Sequence, residues 1–386
     1  MPENTATTVR RNLEGVLGIP FFGDSSVEAL RNGREIFPAM LAAIEQARER
    51  IEFLTFVYWR GEVAERFARA LAERAAAGVN VRVLLDAVGG RTIDDALVEQ
   101  MRSAGVMLQW FRPLKRWKVW EIDNRTHRKI LVVDGRVGFT GGVGIAAEWE
   151  GDARNANEWR DSHFCIRGPA VQGLQGAFYG NWTEAGRRLV EPMHCMPEPE
   201  AAGSTAIQVI RATSASGWSD IATLIELLIS AADQRLVIAT AYFVPDEETI
   251  ANLRQAVGRG VEVDVIMPGE YTDERLSQLA GEDEYRPLLD AGIRLWRYQR
   301  SMYHAKFIVV DGQVACIGSA NFNQRSLRKD EEVAAVVLDE KLADTLMTHF
   351  RDDLEHCQRI DAETWRQRGL WQRGLEWAAR WFKPQV

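Results

Sequence analysis

The sequence predicts an α/β fold, arranged as two tandem α/β/α sandwich domains related by internal duplication. Three observations predict it. Strand-like apolar runs alternate with helical periodicities along the chain. The order of those runs is repeated in the second half, and self-similarity at a fixed offset marks a duplicated unit. Two ten-residue runs, THRKILVVDG (126–135) and YHAKFIVVDG (303–312), align at an offset of 177.

The elements follow in order. A helical stripe over 35–50 puts Phe37, Met40, Leu41, Ile44 and Ala47 on one face. Next come a strand at 51–59, a helix near 62–77, a strand at 79–87, a helix near 92–104 and a short strand at 106–110. The second half runs helix (219–232), strand (235–244), helix (246–258), strand (261–269). Its LLDAGIRLWRY (288–298) mirrors MRSAGVMLQWF (101–111). Gly105 matches Gly292 at an offset of 187, and the later offset of 177 leaves ten extra residues in the first copy. They fall just before its THRK run. The segment 187–205, with three prolines, reads as a linker. The organisation expected is therefore a tail (1–26), repeat 1 (27–186), linker (187–205), repeat 2 (206–357) and a C-terminal helix (358–386).

Composition excludes several classes. The apolar fraction of 46% and charged fraction of 26% are those of an ordinary folded protein. Lys and Arg number 47 against 55 Asp and Glu, a net −8 that argues against a nonspecific nucleic-acid coat. No nucleic-acid partner is expected. Cys165, Cys195, Cys316 and Cys357 lie far apart without a C-x-x-C spacing, so reduced thiols are expected and no metal or cofactor. The N-terminus lacks an apolar signal core. The longest charge-free stretch, 168–183, is too short and polar to span a bilayer.

The chemistry lies in the repeated run. His127, Lys129 and Asp134 share the spacing of His304, Lys306 and Asp311. Residues i and i+2 of a strand face one side, so each His projects with its Lys. The Asp-Gly that follows closes a turn, which makes Asp134 and Asp311 turn acids before catalysts. Two of the chain's 6 histidines are used this way. Two lysines supply fixed positive charge for phosphate oxygens. Two histidines divide nucleophile and acid–base duties. That is phosphoryl-transfer chemistry without a metal. Small-residue segments follow each motif, with Gly141 and Gly142 in one and Gly318 and Ser319 in the other. Their backbone N–H groups are expected to face a bound anion.

The paired motifs resemble the phospholipase D superfamily. RTHRKILVVDGRVGFTGG, WRDSHFCIRGPAV and GSANFNQRSL bring the resemblance closest to bacterial cardiolipin synthases of that type. It implies an active-site cleft on a pseudo-twofold axis and a covalent phosphatidyl-histidine, with His127 as nucleophile and His304 as acid/base. It also implies an acidic residue later in the same half to orient each imidazole: Asp161 for His127, and Glu332 for His304, with Glu331 as competitor. Asn321 matches a phosphate-binding Asn usual in both halves, whereas the first half has Gly144.

Aromatic and basic residues point to a lipid surface. The extra residues hold Trp110, Trp117 and Trp120 among Arg112, Lys115, Arg116 and Lys118. In the C-terminal segment Trp371, Leu375, Ala378, Trp381 and Phe382 share a helical face beside basic residues. The function expected is a peripheral phosphatidyltransferase at the cytoplasmic face of the membrane, with phosphatidylglycerol as substrate and an anionic leaflet as partner. A phospholipase D hydrolase, a nuclease or phosphodiesterase, and a noncatalytic scaffold are the competing readings.

Overall fold

The computed structural model describes residues 4–113, 124–186, 196–212 and 219–368. The first half contains α1 (Thr5–Leu17), β1 (Phe22–Arg31), α2 (Asn32–Gln46), β2 (Arg50–Thr55), α3 (Glu62–Ala76), β3 (Asn80–Asp86), α4 (Asp95–Ser103) and β4 (Met107–Phe111). It continues with β5 (Ile130–Val133), β6 (Val137–Gly141), β7 (Ser162–Arg167) and α5 (Val171–Glu184). The second half opens with β8 (Thr205–Arg211), α6 (Asp220–Ala231), β9 (Arg235–Ala239), β10 (Phe243–Val244), α7 (Glu247–Gly258) and β11 (Glu262–Pro268). Then follow α8 (Arg275–Glu282), α9 (Tyr285–Asp290), β12 (Arg294–Tyr298), β13 (Phe307–Val310), β14 (Val314–Gly318) and β15 (Phe322–Asn323). The last are α10 (Gln324–Arg328), β16 (Val333–Leu338), α11 (Glu340–Leu354), β17 (Cys357–Arg359) and α12 (Ala362–Arg366).

The duplication is visible in the sheet. Its centre is the antiparallel pair β1–β8. Outward from β1 run β7, β6, β5, β2, β3 and β4; outward from β8 run β16, β14, β13, β9, β11 and β12, with β17 at the edge. In each wing the β2–β3–β4 or β9–β11–β12 group is parallel, joined by helical crossovers, and the strands nearer the centre are antiparallel. The two tandem, duplicated units share one sheet and form its two wings, because β1 and β8 hydrogen-bond to each other.

Strand alternation decides the layers. Along β13, Ile308 and Val310 join a core with α1 and α6, while Phe307 and Val309 face the opposite side. Along β5, Leu131 and Val133 face α2 and α3, while Ile130 and Val132 face that opposite side. There α5 and α11 cover residues of both wings in a single cluster.

The expected tail at 1–26 holds α1 and the start of β1. Val9 and Leu13 of α1 are buried with Ile221, Leu224 and Leu228 of α6, so this first helix belongs to the core of the second half. Asn4 caps its start through the Ala6 N–H, and Gly18 ends it in the left-handed conformation at φ 67°. The apolar runs at 51–59 and 235–244 stop as strands at Thr55 and Ala239. In each, a threonine hydroxyl (Thr55, Thr240) donates to a carbonyl two residues on (Val57, Tyr242) and turns the chain. These turns and the motif histidines meet in the cleft between the wings.

Candidate active site

Each His-x-Lys segment lies just before a central strand, β5 or β13. Neither segment pairs with its own half. The His127 N–H donates to the Glu331 carbonyl, and the Glu331 N–H donates to the Arg125 carbonyl. The His304 N–H donates to the Arg160 carbonyl, and the Arg160 N–H donates to the Met302 carbonyl. Two short parallel bridges therefore bind each motif to the acid-bearing segment of the other half.

This exchanges the expected partners. His127 Nδ1 lies 2.9 Å from Glu332 Oε1, and His304 Nδ1 lies 2.7 Å from Asp161 Oδ2. The family resemblance implied the carboxylate of the same half, Asp161 for His127 and Glu332 for His304. The crossed backbone pairing corrects this, because it carries each acid across to the histidine of the other half. Between the neighbouring acids, Glu332 faces the histidine, while Glu331 turns away to Arg112, Asn181 and Arg128.

Both carboxylates are held by further donors. Ser319 Oγ and Ser326 Oγ donate to Glu332. Trp149 Nε1 donates to Asp161 Oδ2 at 2.8 Å, and the Ser162 N–H donates to Oδ1. Gly142 stands where Ser319 stands in the other half, and a Cβ there would come 2.2 Å from Asp161 Oδ1. Trp149 and Ser326 occupy matching positions at the 177 offset and do the same work by different chemistry. Nothing in the sequence distinguished Trp149 from other core tryptophans.

Electrostatics favour ionised acids and neutral imidazoles. Burial pushes the carboxyls of Asp161 and Glu332 up, but their histidines, the lysines and the hydroxyl or indole donors hold both below the usual range. Burial lowers His127 to about 4, with Lys129 and Lys306 adding to it against Glu332. Burial and Lys306 lower His304 to about 3 against Asp161. Burial brings Lys129 to about 7 and Lys306 to about 8. With Nδ1–H donated to a carboxylate, each Nε2 keeps its lone pair, and that of His304 lies 3.2 Å from Lys306 Nζ. Lys129 Nζ donates to the His127 carbonyl, and Lys306 Nζ to the His304 carbonyl.

The two histidines differ in their walls. His304 is ringed by Trp149 at 5.3 Å, Trp159 at 5.5 Å and Tyr242 at 6.4 Å between ring centroids. Phe56 lies 5.4 Å from His127. The His127 side chain is 14% exposed against 6% for His304, so it is the more accessible.

Several expected site residues lie elsewhere or are otherwise engaged. Asp134 accepts from the N–H groups of Arg48, Glu49 and Arg50. Asp311 accepts from those of Asp233, Gln234 and Arg235. Both sit at the far end of the strand from the histidine and tie β5 to β2 and β13 to β9. The Gly142 N–H donates to the Ser162 carbonyl, and the Ser319 N–H donates to the Val333 carbonyl. Gly141 pairs with His163 in the sheet. Backbone pairing therefore takes the Gly142 and Ser319 amides, two of those expected to face an anion, and Ser319 spends its hydroxyl on Glu332. Asn321 is buried with Oδ1 unpartnered. Gly144 is packed closely on Val57 and Trp149, so no asparagine fits there. Trp110 lies near the end of β4, half-buried and packed against the first-half core near Gly90. Arg112 is paired with Glu184 and Glu331. Trp117, Trp120, Trp371 and Trp381, and most of the expected C-terminal helix, lie outside the described residues. Among the described residues no helix is long and apolar enough to cross a membrane.

Comparison with known proteins decides the family. The family described as "Cardiolipin synthase, PLD-like domain" matches residues 40–153 and 224–354. The chain belongs to this family. It is 34% identical to the cardiolipin synthase of Geobacillus kaustophilus (strain HTA426) over 93% of its own length and 72% of that protein. It is 32% identical to the major cardiolipin synthase ClsA of Bacillus subtilis (strain 168), covering 94% and 76%. Among solved structures, a phosphatidylserine synthase from Haemophilus influenzae Rd KW20 matches at TM-score 0.73 and 15% identity, over 98% of this chain and 97% of that one. That likeness concerns the fold. Membership carries the enzyme class: a phosphatidyltransferase of the phospholipase D type.

Proposed function

We propose that the protein transfers a phosphatidyl group from phosphatidylglycerol to an alcohol through a phosphohistidine on His127, yielding cardiolipin when the alcohol is a second phosphatidylglycerol. The crossed His–carboxylate pairs carry the reading. Glu332 fixes Nδ1 of His127, so Nε2 attacks phosphorus. The N–P bond forms as the P–O bond to the leaving glycerol breaks, and His304 gives that oxygen its proton. In the second step the acceptor hydroxyl gives its proton to His304. Its oxygen bonds to phosphorus as the N–P bond breaks.

The greater exposure of His127 supports it as nucleophile, since phosphorus must reach it. A diester anion between Lys129 and Lys306 favours the charged form of both lysines and of the nearby imidazole that faces the leaving oxygen, so His304 can hold the proton that the first step needs while His127 stays neutral to attack. Lys129 and Lys306 stabilise the charge on the transferring group. The names of relatives support a phospholipid substrate and action at a membrane, and our reading puts that action at the cytoplasmic face.

Incubation with phosphatidylglycerol vesicles, read by mass spectrometry, tests this. Cardiolipin and free glycerol are expected. His127→Ala and His304→Ala should each lower turnover by at least about a thousandfold, as for a nucleophile and an acid–base partner acting as a unit. Substantial activity in either variant would falsify the two-histidine mechanism. Phosphatidic acid as the main product would instead mark a hydrolase.

A further inference from the structure

The two halves differ at two neighbouring pairs of positions. Thr55 with Val57 and Thr240 with Tyr242 form the same hydroxyl-to-carbonyl turn, so Val57 and Tyr242 correspond. Gly144 and Asn321 correspond at the 177 offset. In the first half the pair is apolar and closed: a Cβ on Gly144 would lie 2.7 Å from Val57 Cβ. In the second half it is polar. The parallel register of Phe243 with Phe322 sets Tyr242 alongside Asn321. Asn321 Oδ1 is buried without a partner. Tyr242 presents its ring nearly at right angles to His304, 6.4 Å away.

The Tyr242 hydroxyl donates to Asp273 Oδ2 at 2.7 Å. Asp273 lies in the loop after β11, and burial raises its carboxyl against the Tyr242 hydroxyl and the charge of Lys306. A carboxylate has about four lone-pair sites, of which this hydroxyl takes one. One hydrogen-bond acceptor, the Asp273 carboxylate, is therefore linked to the His304 side of the site through Tyr242, and the Val57–Gly144 pair has no equivalent. His304 is the residue that takes the acceptor's proton. A hydroxyl on the carbon next to the reacting one would lie against this wall.

We propose that Tyr242 and Asp273 form the acceptor subsite beside His304, binding the second hydroxyl of a polyol and favouring glycerol-type acceptors over monohydroxy alcohols and water. This rests on the transferase reading above. The bonds made and broken are those of its second step. Asp273 only orients the acceptor by accepting a hydrogen bond from the neighbouring hydroxyl.

The test uses the full protein with phosphatidylglycerol vesicles and an equimolar mixture of deuterated glycerol and 1-propanol. Mass spectrometry gives the ratio of deuterated phosphatidylglycerol to phosphatidylpropanol. The wild type should favour glycerol. Asp273→Ala should lower the ratio about tenfold, the size of one hydrogen bond to a charged group. Tyr242→Phe, which frees the carboxylate to move, should lower it less. Wild-type transfer without a glycerol preference, or a wild-type ratio in both variants, overturns the subsite alone. A wild type that forms phosphatidic acid and neither alcohol adduct overturns the transferase reading instead.

Discussion

His163 shows how one side chain breaks the symmetry of the duplication. It pairs with Gly141 on β6, and Ala334 pairs with Gly318 on β14, so the two are equivalent. Ala334 leaves a small cavity of about 30 Å³ beside Lys306, whereas His163 brings an imidazole to that place in the first half. Both of its ring nitrogens are buried without a partner among the described residues. Burial lowers it to about 4, and Lys129 adds to that against Asp161. The sign follows from linkage. Below the unfolded value of 6.5 the unfolded chain takes up a proton that the native state refuses. Stability is then lost as pH falls from 6.5 towards 4. His163→Leu removes that proton. The slope of unfolding free energy against pH across this window should fall by about 1.4 kcal/mol per unit. Urea titrations of wild type and variant from pH 6.5 to 4.5 measure it, and equal slopes would mean that His163 is protonated in the native state.

At the scale of elements, strongly patterned segments were legible and weakly patterned ones were not. The parallel β2–β3 and β9–β11 units have continuous apolar runs and full-length crossover helices, and glycines 78 and 260 mark matching turns. The strand β1 escaped because FGDSSVEALR is half exposed and opens with Gly23, Asp24, Ser25 and Ser26. The helix α1 escaped because TATTVRRNLEGVL has few apolar residues, two of which are buried. The motif histidines were legible by repetition. Their acids were found, but with the partners crossed, since near-identical halves give the same local signal either way. If α1 is a core element, Leu13→Ala should cost about 2–5 kcal/mol, the range for a fully buried leucine. A tail would cost nothing measurable. Chemical denaturation distinguishes them.

On the scale of the molecule, the halves cannot act as independent folding units. The β1–β8 pair makes the sheet continuous, and α5 and α11 bury residues of both wings in one cluster. Arg31 of β1 and Arg160, beside Asp161, both bind the buried Asp353 of α11. Arg128 donates to the Glu332 carbonyl across the same boundary. Each motif histidine takes its carboxylate from the opposite wing, so unfolding one wing leaves the other with a buried acid lacking its partner and with half its core exposed. Such coupling favours all-or-none behaviour even in a chain of 386 residues, for which two independent domains would be the default. Calorimetry should therefore show one unfolding transition with calorimetric and van't Hoff enthalpies equal. Two resolved transitions would separate the wings. The crossed pairs then could not be what holds the cleft together, because one wing would persist after the other had withdrawn its acid.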